Sequence, residues 1–274
     1  MNKVVKRALL AMFAIVAIFS LVLLLQPKKA KAVSTYQTLV WSDEFNGTSL
    51  DTSKWNYTTG GGGWGNGELQ TYTNNTNNVQ VSNGYLTIQA LRTRSRNGKY
   101  NYTSGRINTK DKAKWQYGRI EVRAKLPQGI GSWPAIWMLP NGAKYGSTYL
   151  ANGEIDQMEE VGADQNEVNA SAHSLKYNPA NNNVRTKNIV VANAQTTFHN
   201  YGLEWTPNYL SFTVDGVEFY RVNNDHTGYQ SWPYDQPYYL LLNLAIGGSW
   251  GGYKGVDNSS LPWKFAIDYV RVYQ

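Results

Sequence analysis

The chain has 274 residues, of which 42% are apolar, 14% aromatic and only 16% charged, with a formal charge of +7 and no cysteine. A chain so rich in rings and so poor in charge buries a core, which excludes wholesale disorder. The lack of cysteine excludes disulfides, thiol nucleophiles and cysteine-ligated zinc.

Residues 1–32 read as a targeting segment. Lys3, Lys6 and Arg7 precede an unbroken weakly polar-to-apolar run over 8–25, and Ala30-Lys31-Ala32 has the small-x-small form that a signal peptidase cuts. The expectation is a secretory leader cleaved after Ala32, which leaves residues 33–274 as a single domain outside the cell. An uncleaved anchor is the alternative, since such a run can just span a bilayer. Lys3, Lys6, Arg7, Lys28, Lys29 and Lys31 all fall in this segment, so the remaining basic residues nearly balance the 19 acidic ones. Cleavage thus removes the basic surface that a nucleic-acid partner requires, and an uncharged partner fits better. No membrane contact is expected once the leader is gone.

Beyond the leader the pattern has period two. Residues 85–90, 119–126, 210–215 and 268–273 alternate apolar and polar side chains, as strands with one buried face do. Residues 238–245 form a nearly continuous apolar run, as in a strand covered on both sides, although periodicity alone leaves a helix open there. Segments 59–67 and 74–78 read as loops, and no stretch of 12 residues carries a helical stripe. Many short strands in one unit of about 240 residues predict an all-β sandwich or jelly roll of two antiparallel sheets.

Several chemistries are excluded by spacing. His173, His199 and His226 lack metal-ligand spacing, Gly60-Gly-Gly-Gly63 runs into Trp64 instead of Lys, and no Gly-x-Ser-x-Gly elbow occurs. The exception is Gly153-Glu-Ile-Asp-Gln-Met-Glu-Glu-Val-Gly162. In a strand Glu154 and Asp156 share a face, which costs electrostatic energy that a structural strand avoids. Glu159 points the wrong way unless a bulge near Met158 absorbs one residue. Three carboxyls then line one cleft, their pKa values should separate, and one should stay protonated near neutral pH. Glycoside hydrolysis needs that arrangement. A solvated acidic strand or a calcium loop is the plainer reading of these ten residues, and the surroundings weigh against it. Trp64, Trp133 and Trp250 adjoin glycine-rich sequence and suit the apolar faces of sugar rings. A non-catalytic glycan-binding jelly roll would keep such platforms but has no need of three aligned carboxyls.

Glu154-Ile-Asp-Gln-Met-Glu159, Trp41-Ser-Asp-Glu-Phe-Asn46, Trp64-Gly-Asn-Gly-Glu-Leu-Gln70, Ser132-Trp-Pro-Ala-Ile-Trp-Met-Leu-Pro140, Leu242-Asn-Leu-Ala-Ile-Gly-Gly-Ser-Trp250 and Asp268-Tyr-Val-Arg-Val-Tyr273 together resemble glycoside hydrolase family 16, within it the bacterial laminarinases. The resemblance runs from about residue 38 to the C-terminus. It implies a β-jelly roll with a long open cleft and retaining hydrolysis of β-glucan, with a mixed-linkage glucanase or another polysaccharide hydrolase of the family as alternatives. It makes Glu154 the nucleophile, Asp156 the group that tunes it and Glu159 the acid/base, and it assigns no role to Glu160. Asn66, Arg106, Trp133, Trp137, His173 and Trp250 become expected sugar contacts. It also implies a structural calcium held by the Glu44 and Gly84 carbonyls and Asp268, with no cofactor for catalysis, in a monomer. Gln157 and the Ser after His173 depart from the family pattern.

Overall fold

The computed structural model describes residues 34–274, so the expected leader lies outside the described residues. The strands in chain order are β1 (Leu39–Asp43), β2 (Asn56–Tyr57), β3 (Gln70–Tyr72), β4 (Val79–Ser82), β5 (Tyr85–Arg94), β6 (Tyr100–Ser104), β7 (Arg106–Asn108), β8 (Gly118–Lys125), β9 (Ser132–Pro140), β10 (Glu154–Glu159), β11 (Glu167–His173), β12 (Thr186–Val190), β13 (His199–Trp205), β14 (Tyr209–Val214), β15 (Val217–Asn223), β16 (Tyr238–Ile246) and β17 (Trp263–Tyr273). A single 3₁₀ turn, Pro179–Asn181, is the one helical element among the described residues.

All five segments expected as strands are strands. The 119–126 segment ends at Lys125, and the 210–215 segment stops one residue early, because Asp215 (φ 51°) and Gly216 (φ 78°) form the two-residue turn that pairs Val214 with Val217. Positive φ at both turn positions matches the right-handed twist of the flanking strands.

A ten-stranded sheet has the order β15-β14-β13-β8-β17-β5-β6-β3, with β1 also on β17 and β4 on β5; a seven-stranded sheet has the order β12-β11-β10-β9-β16-β7-β2. Pairing is antiparallel throughout except between β3 and β6. The two sheets face each other as the expected jelly-roll sandwich. Leu86, Ile88, Ile120, Val122, Phe265 and Ile267 from the first sheet share one buried cluster with Ile136, Met138, Ile155, Met158, Leu242 and Leu244 from the second. Burying each such side chain contributes ~1.5–3 kcal/mol against the entropy of ordering it.

The other face of the seven-stranded sheet gathers the polar and aromatic side chains. Its register sets Trp137 beside Asp156, Ala135 beside both Asn243 and Glu159, and Asn243 beside Arg106, all on the side away from the core. The apolar run of β16 is explained by this position: Leu242 and Leu244 enter the core, while Leu241, Asn243 and Ala245 lie buried under the strands and loops of the cleft wall.

Candidate active site

The chain enters the site through a glycine. Gly153 has φ 77°, and a Cβ there would lie 2.6 Å from Tyr238 Oη and 2.7 Å from Pro233 Cγ, so only glycine passes between these residues into Glu154. Along β10 the register with β9 shifts between Asp156 and Met158, and that with β11 shifts between Asp156 and Glu159. This is the expected bulge. It sends Ile155, Gln157 and Met158 into the interior and returns Glu159 to the face of Glu154 and Asp156. Gln157, the departure from the family pattern, crosses the core: its Nε2 donates to the Ile120 and Tyr201 carbonyls of the opposite sheet at 3.2 and 2.8 Å. The serine after His173 is likewise turned inward, where it caps a turn with Tyr177.

The structure brings the sequence-predicted residues together on this face. Glu154, Asp156 and His173 each present an atom within 4.8 Å of the others, and His173 Nε2 lies 3.0 Å from Asp156 Oδ2. Trp133 Nε1 donates to Glu159 Oε1 at 3.0 Å, and its ring meets Trp250 edge-on at 5.4 Å. Arg106 lies between the Trp64 and Trp137 rings, 4.9 Å from each centroid. Asn66 sits on the rim: its carbonyl accepts from Ser249 N at 2.7 Å and its Nδ2 donates to Glu68 at 3.1 Å. Trp115, Trp205, Trp232 and Trp263 are core residues instead.

Burial raises all three carboxyls. Glu159 is pushed up to about 8, by desolvation first and the nearby Asp156 charge second. Asp156 and Glu154 are also raised by burial, Glu154 further by the Asp156 charge, with His173 and Arg106 pulling it partly back. Desolvation acts on all three alike, and the Asp156 charge raises Glu154 and Glu159 further. Their partners differ instead: an indole donor for Glu159, an imidazole for Asp156.

A chain of polar groups that the sequence does not signal lies beneath this face. Trp137 Nε1 donates to Asn243 Oδ1 at 2.7 Å, Asn243 Nδ2 to Tyr72 Oη at 3.1 Å, and Tyr72 Oη to Glu68 Oε2 at 3.2 Å, where Gln70 also donates at 2.6 Å. Glu68, Gln70 and Asn243 lie inside quoted motifs, but a pairing across 171 positions leaves no periodic trace. Tyr149 was also missed; it stands 75% exposed on segment 141–153, with its hydroxyl in the field of Glu154 and Asp156.

The expected metal residues lie elsewhere. Pairing of Asp43 with Val270 and of Leu86 with Ile267 brings Glu44, Gly84 and Asp268 to the place in the ten-stranded sheet where β17 passes from β5 to β1, with Asp268 at a bulge in β17. The side chains there have protein partners: Arg271 takes both Glu44 oxygens at 2.9 and 2.8 Å, and Arg123 pairs with Asp268 Oδ2.

The model for Glycosyl hydrolases family 16 matches residues 66–271. The chain belongs to that family. It is 47% identical over 244 residues to a β-glucanase of Rhodothermus marinus, covering 86% of this chain and 85% of that protein. Its fold superposes on the laminarinase from Rhodothermus marinus with a TM-score of 0.83 at 45% identity, covering 88% of this chain and 99% of that one. A glucan endo-1,3-β-glucosidase of Niallia circulans is 42% identical over 86% of this chain, which spans 38% of that longer protein. The family makes the chain a glycoside hydrolase, and hydrolysis by carboxyls and water requires no catalytic cofactor.

The raised Glu159 has a consequence for stability. Below pH about 4.5 both folded and unfolded states keep its proton; between there and about 8 only the unfolded chain releases it, so its contribution to stability falls as pH rises. Glu159→Gln, uncharged and of the same shape, is expected to melt above the wild type at pH 7, with the gap closing toward pH 4. Thermal unfolding across that range checks it, and a gap that is reversed or independent of pH contradicts it.

Proposed function

We propose that the protein is an exported endo-β-1,3-glucanase that hydrolyses β-glucan with retention of configuration, acting as a monomer. The observation that carries this reading is the bulged strand β10, which sets Glu154, Asp156 and Glu159 in one row on the cleft face. Glu154 is the nucleophile. Its oxygen attacks the anomeric carbon and forms a glycosyl ester, while Glu159 gives its proton to the departing glycosidic oxygen. Glu159, now ionised, takes a proton from water, whose oxygen attacks the same carbon and releases Glu154. Asp156, between them and 3.0 Å from His173, holds Glu154 in place.

Trp133, Trp250, Trp137, Arg106, His173 and Asn66 line the route of the glucan chain, with ring faces for its C–H surfaces and polar edges for its hydroxyls. Segments 133–137 and 247–250, together with the Gln157-Met158 spacing, support β-1,3-linked glucan. A broader specificity is the second reading, favoured by a relative described as a non-specific endo-β-1,3(4)-glucanase of the family. Its structure, at TM-score 0.82 and 42% identity, has a mixed-linkage trisaccharide at the active site. Export rests on the leader-like segment 1–32.

A structural calcium is part of the proposal. The Glu44 and Gly84 carbonyls and the remaining oxygen of Asp268 are hard oxygen donors gathered where β1 and the β4–β5 turn meet on β17, the chemistry that calcium takes. The ion would tie the end of β1 to the β4–β5 turn and to β17, and it would stabilise by binding the folded state alone.

Matched kinetics are expected to give laminarin a higher kcat/KM than lichenan, and no product from agarose. Preference for lichenan moves the assignment to the second reading, and galactan cleavage overturns both. Exhaustive chelation is expected to lower Tm, and added calcium to restore it. A Tm indifferent to both treatments removes the calcium from the account.

A further inference from the structure

The sequence places Glu160 beside the acid/base but outside the catalytic face, and the mechanism does not use it. It is nevertheless fully buried, and no Lys or Arg pairs with it among the described residues. A carboxyl in that position costs stability unless its hydrogen bonds have a purpose. Both of its oxygens accept from Gln195 Nε2 at 2.7 Å, and Oε2 also accepts from the backbone N–H of Asn166 at 3.1 Å.

These bonds reach far. Asn166, held at φ 69°, uses its side-chain oxygen to accept from Ala194 N at 3.0 Å and its carbonyl to accept from Val191 N at 2.7 Å. The Ala194 carbonyl accepts from Leu126 N, just past the end of β8, at 2.9 Å. On the other side of Glu160, Gly162 N donates to the Ser132 carbonyl at 2.8 Å, and a Cβ on Gly162 would collide with the Gly129 carbonyl oxygen. Ser132 is the residue before Trp133, the indole donor to Glu159. The Glu160 carboxyl therefore ties the far end of β10 to Asn166 and to Gln195 of the 191–197 loop, one residue from the proton donor, while the Gly162 backbone ties the same end to the start of β9.

We propose that Glu160 is a positioning residue: its carboxyl fastens the end of β10 to Asn166 and Gln195, and so holds Glu159 and its Trp133 partner in the geometry for proton donation. The proposal rests on the reading of Glu159 as acid/base. Burial pushes the Glu160 carboxyl up to about 8, against the hydrogen bonds from Gln195 and Asn166, which favour its ionised form. The titratable group that faces it from β13 is the Tyr201 phenol, buried and without a hydrogen-bond partner; Glu159 points to the opposite face.

The test separates positioning from mere stability by the leaving group. Glu160→Leu removes the acceptors, and Glu160→Gln keeps an acceptor for Asn166 in an uncharged side chain of the same shape. A displaced acid/base harms expulsion of a poor leaving group far more than of one that departs without a proton. Glu160→Leu is therefore expected to lower kcat on laminarin about tenfold or more, as small misplacements of catalytic groups do, with KM little changed. On a dinitrophenyl β-glycoside of a short laminari-oligosaccharide the loss in kcat/KM, which reads the first bond cleavage and not the water step that Glu159 also serves, should stay within about threefold. Glu160→Gln should restore laminarin hydrolysis near neutral pH. Gln195→Ala, at a half-buried loop position, should show the same split more weakly and serves if the leucine variant does not fold.

Equal losses on both substrates, or no loss on either, overturn the proposal. Glu159→Ala is the control. If it lacks the leaving-group split, the acid/base reading fails; if it shows the split and the Glu160 and Gln195 variants do not, positioning alone fails.

Discussion

Three carboxyls on one face of one strand repel each other and resist leaving water, so the structure around them has to hold β10 in a form that it would not adopt for its own sake. The bulge between Asp156 and Met158 is that form. Without it Glu159 would turn toward the core. With it the interior receives Ile155, Gln157 and Met158, and Gln157 anchors the distorted segment to two carbonyls of the opposite sheet. The glycine at 153 fixes how the strand begins, and the buried Glu160 ties how it ends. Packing of the sandwich is thus what keeps the acidic row in place.

Electrostatics then distinguishes groups that burial treats alike. Glu159 has the Trp133 indole, Asp156 has His173, and Glu154 feels both His173 and the Arg106 guanidinium stacked between two tryptophans. A protonated carboxyl beside an ionisable neighbour is the usual means by which one site supplies both an acid and a nucleophile. A bound sugar would complete the enclosure and replace the remaining water.

Alternation is enough to find the central strands, because β5, β8, β14 and β17 each bury one face more fully than the other. The bulge was also legible, since Glu154 and Asp156 alternate and Glu159 breaks the alternation by one residue. The turn at Asp215-Gly216 shortened a strand that alternation alone extended. Partners distant in sequence left no such signal. Asn243 under Trp137, Glu68 under Tyr72 and Gln195 over Glu160 are joined only when β16, the 64–72 segment and the 191–197 loop close around the sheets. Desolvation is hidden for the same reason: the sequence shows three acids in a row but not how far the fold withdraws them from water. The tryptophans sorted by their neighbours, with the glycine-flanked Trp64, Trp133 and Trp250 at the cleft and Trp205 and Trp263 in the core.

The central claim is that Glu154 attacks the sugar directly and leaves no room for an inverting water. With one residue absorbed by the bulge, Glu154 and Glu159 are four strand steps apart, ~13 Å between Cα atoms. Side chains that lean together from there can approach the ~5–5.5 Å carboxyl separation of retaining enzymes, short of the ~6.5–9.5 Å of inverting ones. Proton NMR of the anomeric signals during the first moments of laminarin hydrolysis, before mutarotation, reads this directly. The account predicts that the β-anomer appears first and the α-anomer grows later; an initial α-anomer would contradict it.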